Sequence, residues 1–160
     1  MRILLVRHGE TAWNVEGRHQ GRTYDIPLSE VGLAQARALA ARLQGLEVAR
    51  AVASPLLRAR QTAEILLGPR AVRLALDPDL MEIGHGAWEG LLASEIRARD
   101  PEALRAWRET PHLACPPGGE SFQVVQARAW GALARATEGL GPEEVLLLVS
   151  HDGVNRAVLC

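Results

Sequence analysis

Apolar side chains open the chain in an unbroken run at residues 3–6, Ile-Leu-Leu-Val, which stops at Arg7-His8-Gly9-Glu10-Thr11. A run of this kind, without polar alternation, reads as a strand covered on both faces. It delivers a cation and an imidazole at its carboxyl end, where open α/β sheets bind their ligands. A second such run, residues 145–149, is interrupted by Ser150-His151-Asp152-Gly153 just before a helix expected from Val154 onward.

Between these runs the period alternates between strand and helix. Residues 9–27 form a Gly-rich polar loop. Ser29 then caps a helix whose Leu33, Ala36, Ala40 and Leu43 recur at helical spacing until Gly45 ends it. Residues 50–54 make a short strand, and Ser54-Pro55 opens a helix with proline at its first position, running through 56–67. A third strand, with Val72, Leu74 and Leu76 alternating, leads into the loop 79–90, DLMEIGHGAWEG. Two short, exposed helices follow at 94–99 and 101–109, then the irregular stretch 110–120. Ser121 caps a long helix over 122–138 with Val125, Ala129, Ala132 and Leu133 as its apolar face. The order β-α-β-α-β, a helical insertion, then α-β-α predicts an α/β fold: a three-layer α/β/α sandwich with a mostly parallel sheet and a small irregular cap at 77–120.

The 160 residues suit one domain, 1–160. The last helix is cut at Cys160, so further natural residues are expected beyond it. A formal net charge of −1 gives no general attraction to nucleic acid or an anionic membrane, so an anion must be held by a local cluster of cations. No signal peptide and no membrane-length apolar segment is present, and Cys115 and Cys160 have neither disulfide-framework nor zinc spacing. A reduced, cytoplasmic protein is expected. All 18 basic residues are arginine, which excludes lysine Schiff-base chemistry and Walker-type nucleotide binding.

In a parallel sheet the strand ends share one edge. Arg7 and His8 after the first strand, Arg58 near the start of the helix after the second, and His151 after the last can therefore converge. Two guanidiniums and two imidazoles suit a phosphoryl dianion, and Glu82 in the loop after the third strand supplies a proton donor. A lone arginine is ordinarily a surface charge; the convergence is what singles out Arg58.

These residues sit in longer blocks. Arg7-His8-Gly9-Glu10-Thr11, Leu28-Ser29-Glu30 with Gly32, and Ser54-Pro55-Leu56 with Arg58, Gln61 and Thr62 come first. Glu82-x-Gly84 with Trp88-Glu89-Gly90, then Pro117-Gly118-Gly119-Glu120-Ser121, and Ser150-His151 follow in order. Over the whole chain this resembles the histidine phosphatase superfamily, the phosphoglycerate mutase-like proteins. The resemblance implies His8 as nucleophile through a phosphohistidine, with its other ring nitrogen donating to a fixed acceptor such as a backbone carbonyl. It implies Arg7, Arg58 and His151 as phosphoryl clamps and Glu82 as acid then base. Asn14, Gln20 and Gly21 would line the phosphate pocket.

No cofactor and no metal is implied. The expected partner is a small phosphorylated substrate, with no nucleic acid and no membrane; a homodimer is compatible with the sequence. Glu10 and Thr11 read as turn supports, His19 and His112 as surface loop residues, Trp88 as packing and Asp152 as a helix cap. His85, in the cap, is a candidate for touching substrate.

The resemblance covers hydrolases and isomerases. Cofactor-dependent mutases carry a tyrosine three residues after the acid and a lysine eleven after it, where this chain has His85 and Ala93, and His-Gly-Asn where it has His151-Asp152-Gly153. Their cap is longer and richer in cations. Phosphomonoester hydrolysis is therefore expected, with a phosphoglycerate mutase as the alternative. Short phosphatases of broad specificity, or acting on α-ribazole phosphate, are the nearest in pattern.

Overall fold

Alternate side chains of the strand β4 (Val145–Ser150) feed two different cores. Leu146 and Leu148 join Val52, Val125, Ala129, Val154 and Ala157 on one side; Leu147 and Val149 join Ala51, Ala53, Ala59, Ala63 and Leu66 on the other. This is why the run carries no polar residue: both faces of a central strand are covered. Burying each such aliphatic side chain contributes about 1.5–3 kcal/mol.

The structure, a computed structural model, describes residues 1–160. Four parallel strands lie in the order β1 (Arg2–Arg7), β4, β2 (Arg50–Ala53), β3 (Leu74–Leu76). Helices α2 (Glu30–Arg42) and α3 (Leu57–Leu67) cover one face. Helices α6 (Phe122–Thr137) and α7 (Asp152–Leu159) cover the other. The fold is the α/β sandwich that the alternation of periods predicts.

The neighbours β1 and β4 send their following segments to opposite faces, β1 towards α2 and β4 into α7. A crevice opens between two such strands at their carboxyl ends. Strand β1 is an edge strand whose Leu5 packs against one core and whose Leu4 and Val6 pack against the other, while Ile3 is 39 % exposed.

Several boundaries differ from expectation, each for a nonlocal reason. The loop after β1 contains a short helix, α1 (Ala12–Glu16), closed by a capping box in which Thr11 and Asn14 exchange hydrogen bonds. Pro55 does not begin α3; the cap is Leu56, and the Leu57 N–H donates to Asp25 Oδ1 at 2.6 Å. A carboxylate thirty-two residues upstream thus does the capping. Asp152 does not cap α7 either, because His151 occupies that position.

Segment 77–120 holds two 3₁₀ turns and the helices α4 (Ala93–Arg99) and α5 (Pro101–Glu109). These helices are not merely exposed: Ile96 and Leu104 close a small apolar cluster over Trp88. The Trp88 indole N–H donates to Asp100 at 2.9 Å, so the packing reading of Trp88 fits its place.

Candidate active site

The register of β1 on β4 pairs Arg7 with Ser150, so the next residues, His8 and His151, leave the sheet side by side. Their ring centroids lie 5.1 Å apart, close to the spacing of the strands that carry them. On the other flank of β4, the Ser54 N–H donates to Val149 O at 3.0 Å, which puts the Ser54 hydroxyl 2.8 Å from His151 Nε2. Three adjacent strands thereby set His8, His151 and Ser54 in a row.

A hydrogen bond fixes the tautomer of His8. His8 Nδ1 is 2.7 Å from Gly9 O; a carbonyl only accepts, so Nδ1 carries the proton and Nε2 keeps its lone pair. Ser54 Oγ accepts from the Leu56 N–H and meets His151 Nε2 at 2.8 Å, while His151 Nδ1 is buried without a protein partner. Burial pulls the His8 imidazole down to about 4 despite the Gly9 contact, with Arg58 and Arg7 adding to the effect. His151 falls well below the ordinary imidazole range through burial, then Arg58 and His8. Both rings are neutral near pH 7.

Arg58 is fully buried at the start of α3. One Nη2 proton reaches Gly21 O at 2.8 Å, while Nε and Nη1 have no partner in the protein. A buried guanidinium with unmet donors is costly unless something anionic completes it. The same helix also holds the loop that follows β1. Thr62 Oγ1 accepts from the Gly9 N–H at 3.1 Å and donates to Arg58 O at 2.8 Å, and Gln61 accepts from the Leu28 N–H at 2.9 Å. The block around Arg58 therefore ties β1, the loop after it and α3 into one unit. At Gly9 and Gly32 the two segments touch backbone to backbone; a Cβ on Gly9 would stand 2.6 Å from Gly32 O.

Glu82 faces this group from segment 77–120. Burial raises its carboxyl above the usual range, against the Ile83 N–H and Arg58, while Asp152 reinforces the rise. The loop carrying it is held by Arg128 of α6, whose guanidinium donates to Asp79 O, Met81 O and Glu82 O and pairs with Glu120 at 2.9 Å. Glu120 also receives Arg22 and the Gly84 N–H. Glu89 accepts from the Arg22, Thr23 and His85 N–H groups, joining loop 84–90 to loop 21–23. Burial favours its neutral form, yet those donors hold its carboxyl below the ordinary value. Gly21, at φ +57°, lies so close to the Glu89 carboxyl that no Cβ fits.

Seven of the eight residues singled out in the sequence (Arg7, His8, Asn14, Gln20, Gly21, Arg58 and Glu82) line one cavity of about 290 Å³. His151 stands beside it against His8. Arg7 is half exposed and 3.9 Å from Asp152. Asn14 spends its carbonyl on Thr11, and Gln20 does the same.

The cavity also takes in Trp13, Arg18, His19 and His85, of which the sequence reading had raised only His85. His19 is a correction: it is half-buried, 5.0 Å from the His85 ring and 6.2 Å from Trp88, rather than a surface residue. Its place next to Gln20-Gly21 was the available signal. His112 is exposed, and Glu10 binds the Ser29 hydroxyl at 2.8 Å as a turn support would. No three His, Cys, Asp or Glu side chains gather as metal ligands, and both cysteines are free.

The profile of the histidine phosphatase superfamily (branch 1) matches residues 3–160. The chain belongs to that superfamily. This histidine phosphatase is 36 % identical over 160 residues to phosphoserine phosphatase 1 of Hydrogenobacter thermophilus, covering all of this chain and 75 % of the relative. It is 37 % identical to the adenosylcobalamin/alpha-ribazole phosphatase of Salmonella typhimurium, over 96 % of this chain and 75 % of that one. Among solved structures, YhfR of Bacillus stearothermophilus superposes with a TM-score of 0.92 at 41 % identity, covering 98 % of this chain and 77 % of the other. A mycobacterial glucosyl-3-phosphoglycerate phosphatase complexed with VO3 gives 0.89 at 37 %, covering 97 % and 78 %. The histidine phosphatase assignment makes the chain a phosphatase. No helix is long and apolar enough to cross a membrane.

Proposed function

We propose that the chain is a metal-independent phosphomonoester hydrolase working through a phosphohistidine on His8. The observation that carries this is the buried Arg58 guanidinium with two unmet donors beside a His8 ring whose Nε2 is unprotonated. The phosphoryl dianion completes Arg58, with Arg7 and His151 as further contacts and Asn14, Gln20 and Gly21 shaping the pocket. Two guanidiniums supply the charge neutralisation that a metal ion gives in other phosphoryl-transfer sites.

His8 Nε2 attacks phosphorus in line, the P–O ester bond breaks, and Glu82 passes its proton to the departing alkoxide. Glu82, now a carboxylate, takes a proton from water; the oxygen forms a new P–O bond as P–N breaks, releasing inorganic phosphate. Burial keeps His8 neutral and shifts Glu82 towards its protonated form. The substrate is a small phosphorylated metabolite. His85 and Ala93, where mutases have tyrosine and lysine, support hydrolysis over isomerisation. Purified protein given 3-phosphoglycerate, with a trace of 2,3-bisphosphoglycerate, should release phosphate; isomerisation with little free phosphate would reverse the reading.

A pH profile follows. Activity needs His8 without its second proton, so kcat/KM rises as pH climbs through about 4. It also needs Glu82 with its proton, so kcat/KM falls again as pH passes through the raised Glu82 value. Glu82→Gln should lower kcat about 10²–10⁴-fold and abolish the alkaline limb. The substrate's own ionisation is common to both profiles and cancels in the comparison. An unchanged alkaline limb would remove Glu82 from the acid role.

A further inference from the structure

Glu82 and His85 line two cavities at once. One is the phosphate chamber. The other, of about 680 Å³, opens beyond the pair, between Trp107, Pro111, Phe122 and the first turns of α7. In-line transfer puts the leaving oxygen opposite the attacking nitrogen, at Glu82. The remainder of the alcohol must then continue past Glu82, and this second chamber is the space it meets.

The walls of that chamber are chiefly carbon. Ile83, Trp107, Pro111 and Phe122 provide them, with Arg108 and Arg156 exposed at the margin. Trp107 meets the His85 ring edge-on at 5.8 Å, and His85 meets His19 at 5.0 Å, making a continuous ring-lined wall. Of the charges at this margin, Asp152 pairs with Arg156 at 3.0 Å and approaches Arg7 at 3.9 Å, while Arg108 has no ion-pair partner. His85 is held down to about 4, by burial first and by His19 second, against Glu89 and Glu120, so the wall is uncharged near neutrality. Its Nδ1 is buried with no partner, and Glu82, Asp152, Arg108 and Arg156 bring polar groups to the same chamber.

We infer that the alcohol half of the substrate is a bulky, largely apolar group of ring size, seated in this second chamber against Trp107 and Phe122 and passing the His85 ring on the way. The inference rests on the hydrolase reading and adds the class of leaving group to it.

Ethyl, butyl and 2-phenylethyl phosphate test it. All three expel primary alcohols of similar basicity, so their relative kcat/KM reports how the alcohol is bound rather than how well it leaves. In the wild-type protein kcat/KM should rise along the series, the 2-phenylethyl ester exceeding the ethyl ester about 10–100-fold. Trp107→Ala should cut that ratio about tenfold. Equal values for the three wild-type substrates, or a preference for the ethyl ester, overturn the inference. So does a folded Trp107→Ala protein that keeps the full ratio. Should Trp107→Ala fail to fold, the wild-type series decides alone. Release of phosphate from none of the three would instead bring down the hydrolase reading, and the inference with it; hydrolysis without discrimination sinks the inference only.

Discussion

His8→Ala lowers kcat about 10⁴-fold or more, because it removes the Nε2 lone pair that the proposed route directs at phosphorus. The companion result is chemical. A brief exposure of wild-type protein to labelled substrate at acidic pH, then quenching, leaves a covalent phosphoenzyme that is stable to base and lost in acid, and the label maps to His8. His8→Ala carries none. The variant should keep its fold, since the bonds tying this loop to the rest use the backbone of residues 8 and 9. A label that persists in His8→Ala, or a wild-type protein that never labels under turnover, would sink the phosphohistidine route.

Arg58→Met separates activity from stability. The guanidinium is fully buried, burial lowers its pKa, and only one of its nitrogens has a protein acceptor. Replacing a buried, poorly partnered charge by a side chain of similar length should stabilise the unliganded protein by about 1 kcal/mol, read from urea midpoints. The same change should cut kcat/KM about 10³-fold, as loss of a preorganised donor to a transition-state oxyanion does. Phosphate or vanadate should raise the melting temperature of wild type and leave the variant unmoved, because ligand that binds only the folded state stabilises it in proportion to its occupancy. A variant that is both less stable and still active would mean that Arg58 serves packing instead.

The parts of this molecule legible in its sequence are those where local pattern and chemistry coincide. The apolar runs of β1 and β4 each end in histidine, and the parallel register alone brings those ends together. Ser29 and Ser121 cap the helices they precede, each accepting from an N–H three residues on. Contacts between distant segments were not legible. Asp25 capping α3 left Pro55 looking like the better start. Arg128 reads as one more charge on a helix, yet its donors hold the Glu82 loop because three carbonyls turn towards it. The short helices α4 and α5 look exposed until Trp88 arrives beneath them from another loop. His19, in a polar loop, is marked only by its place beside Gln20-Gly21; the rings of His85 and Trp88 that close over it come from a distant segment.

The order β1-β4-β2-β3 also bears on how the protein is made. Strands β1 and β2 never bond to each other; each bonds to β4, whose residues 145–150 leave the ribosome long after both. A nascent chain arrested before that point can pair β2 with β3 but has nothing to hold β1 in the sheet. Assembly of the central layer must therefore wait for nearly all of these residues to emerge, leaving apolar strands uncovered during synthesis and favouring slow, chaperone-sensitive maturation.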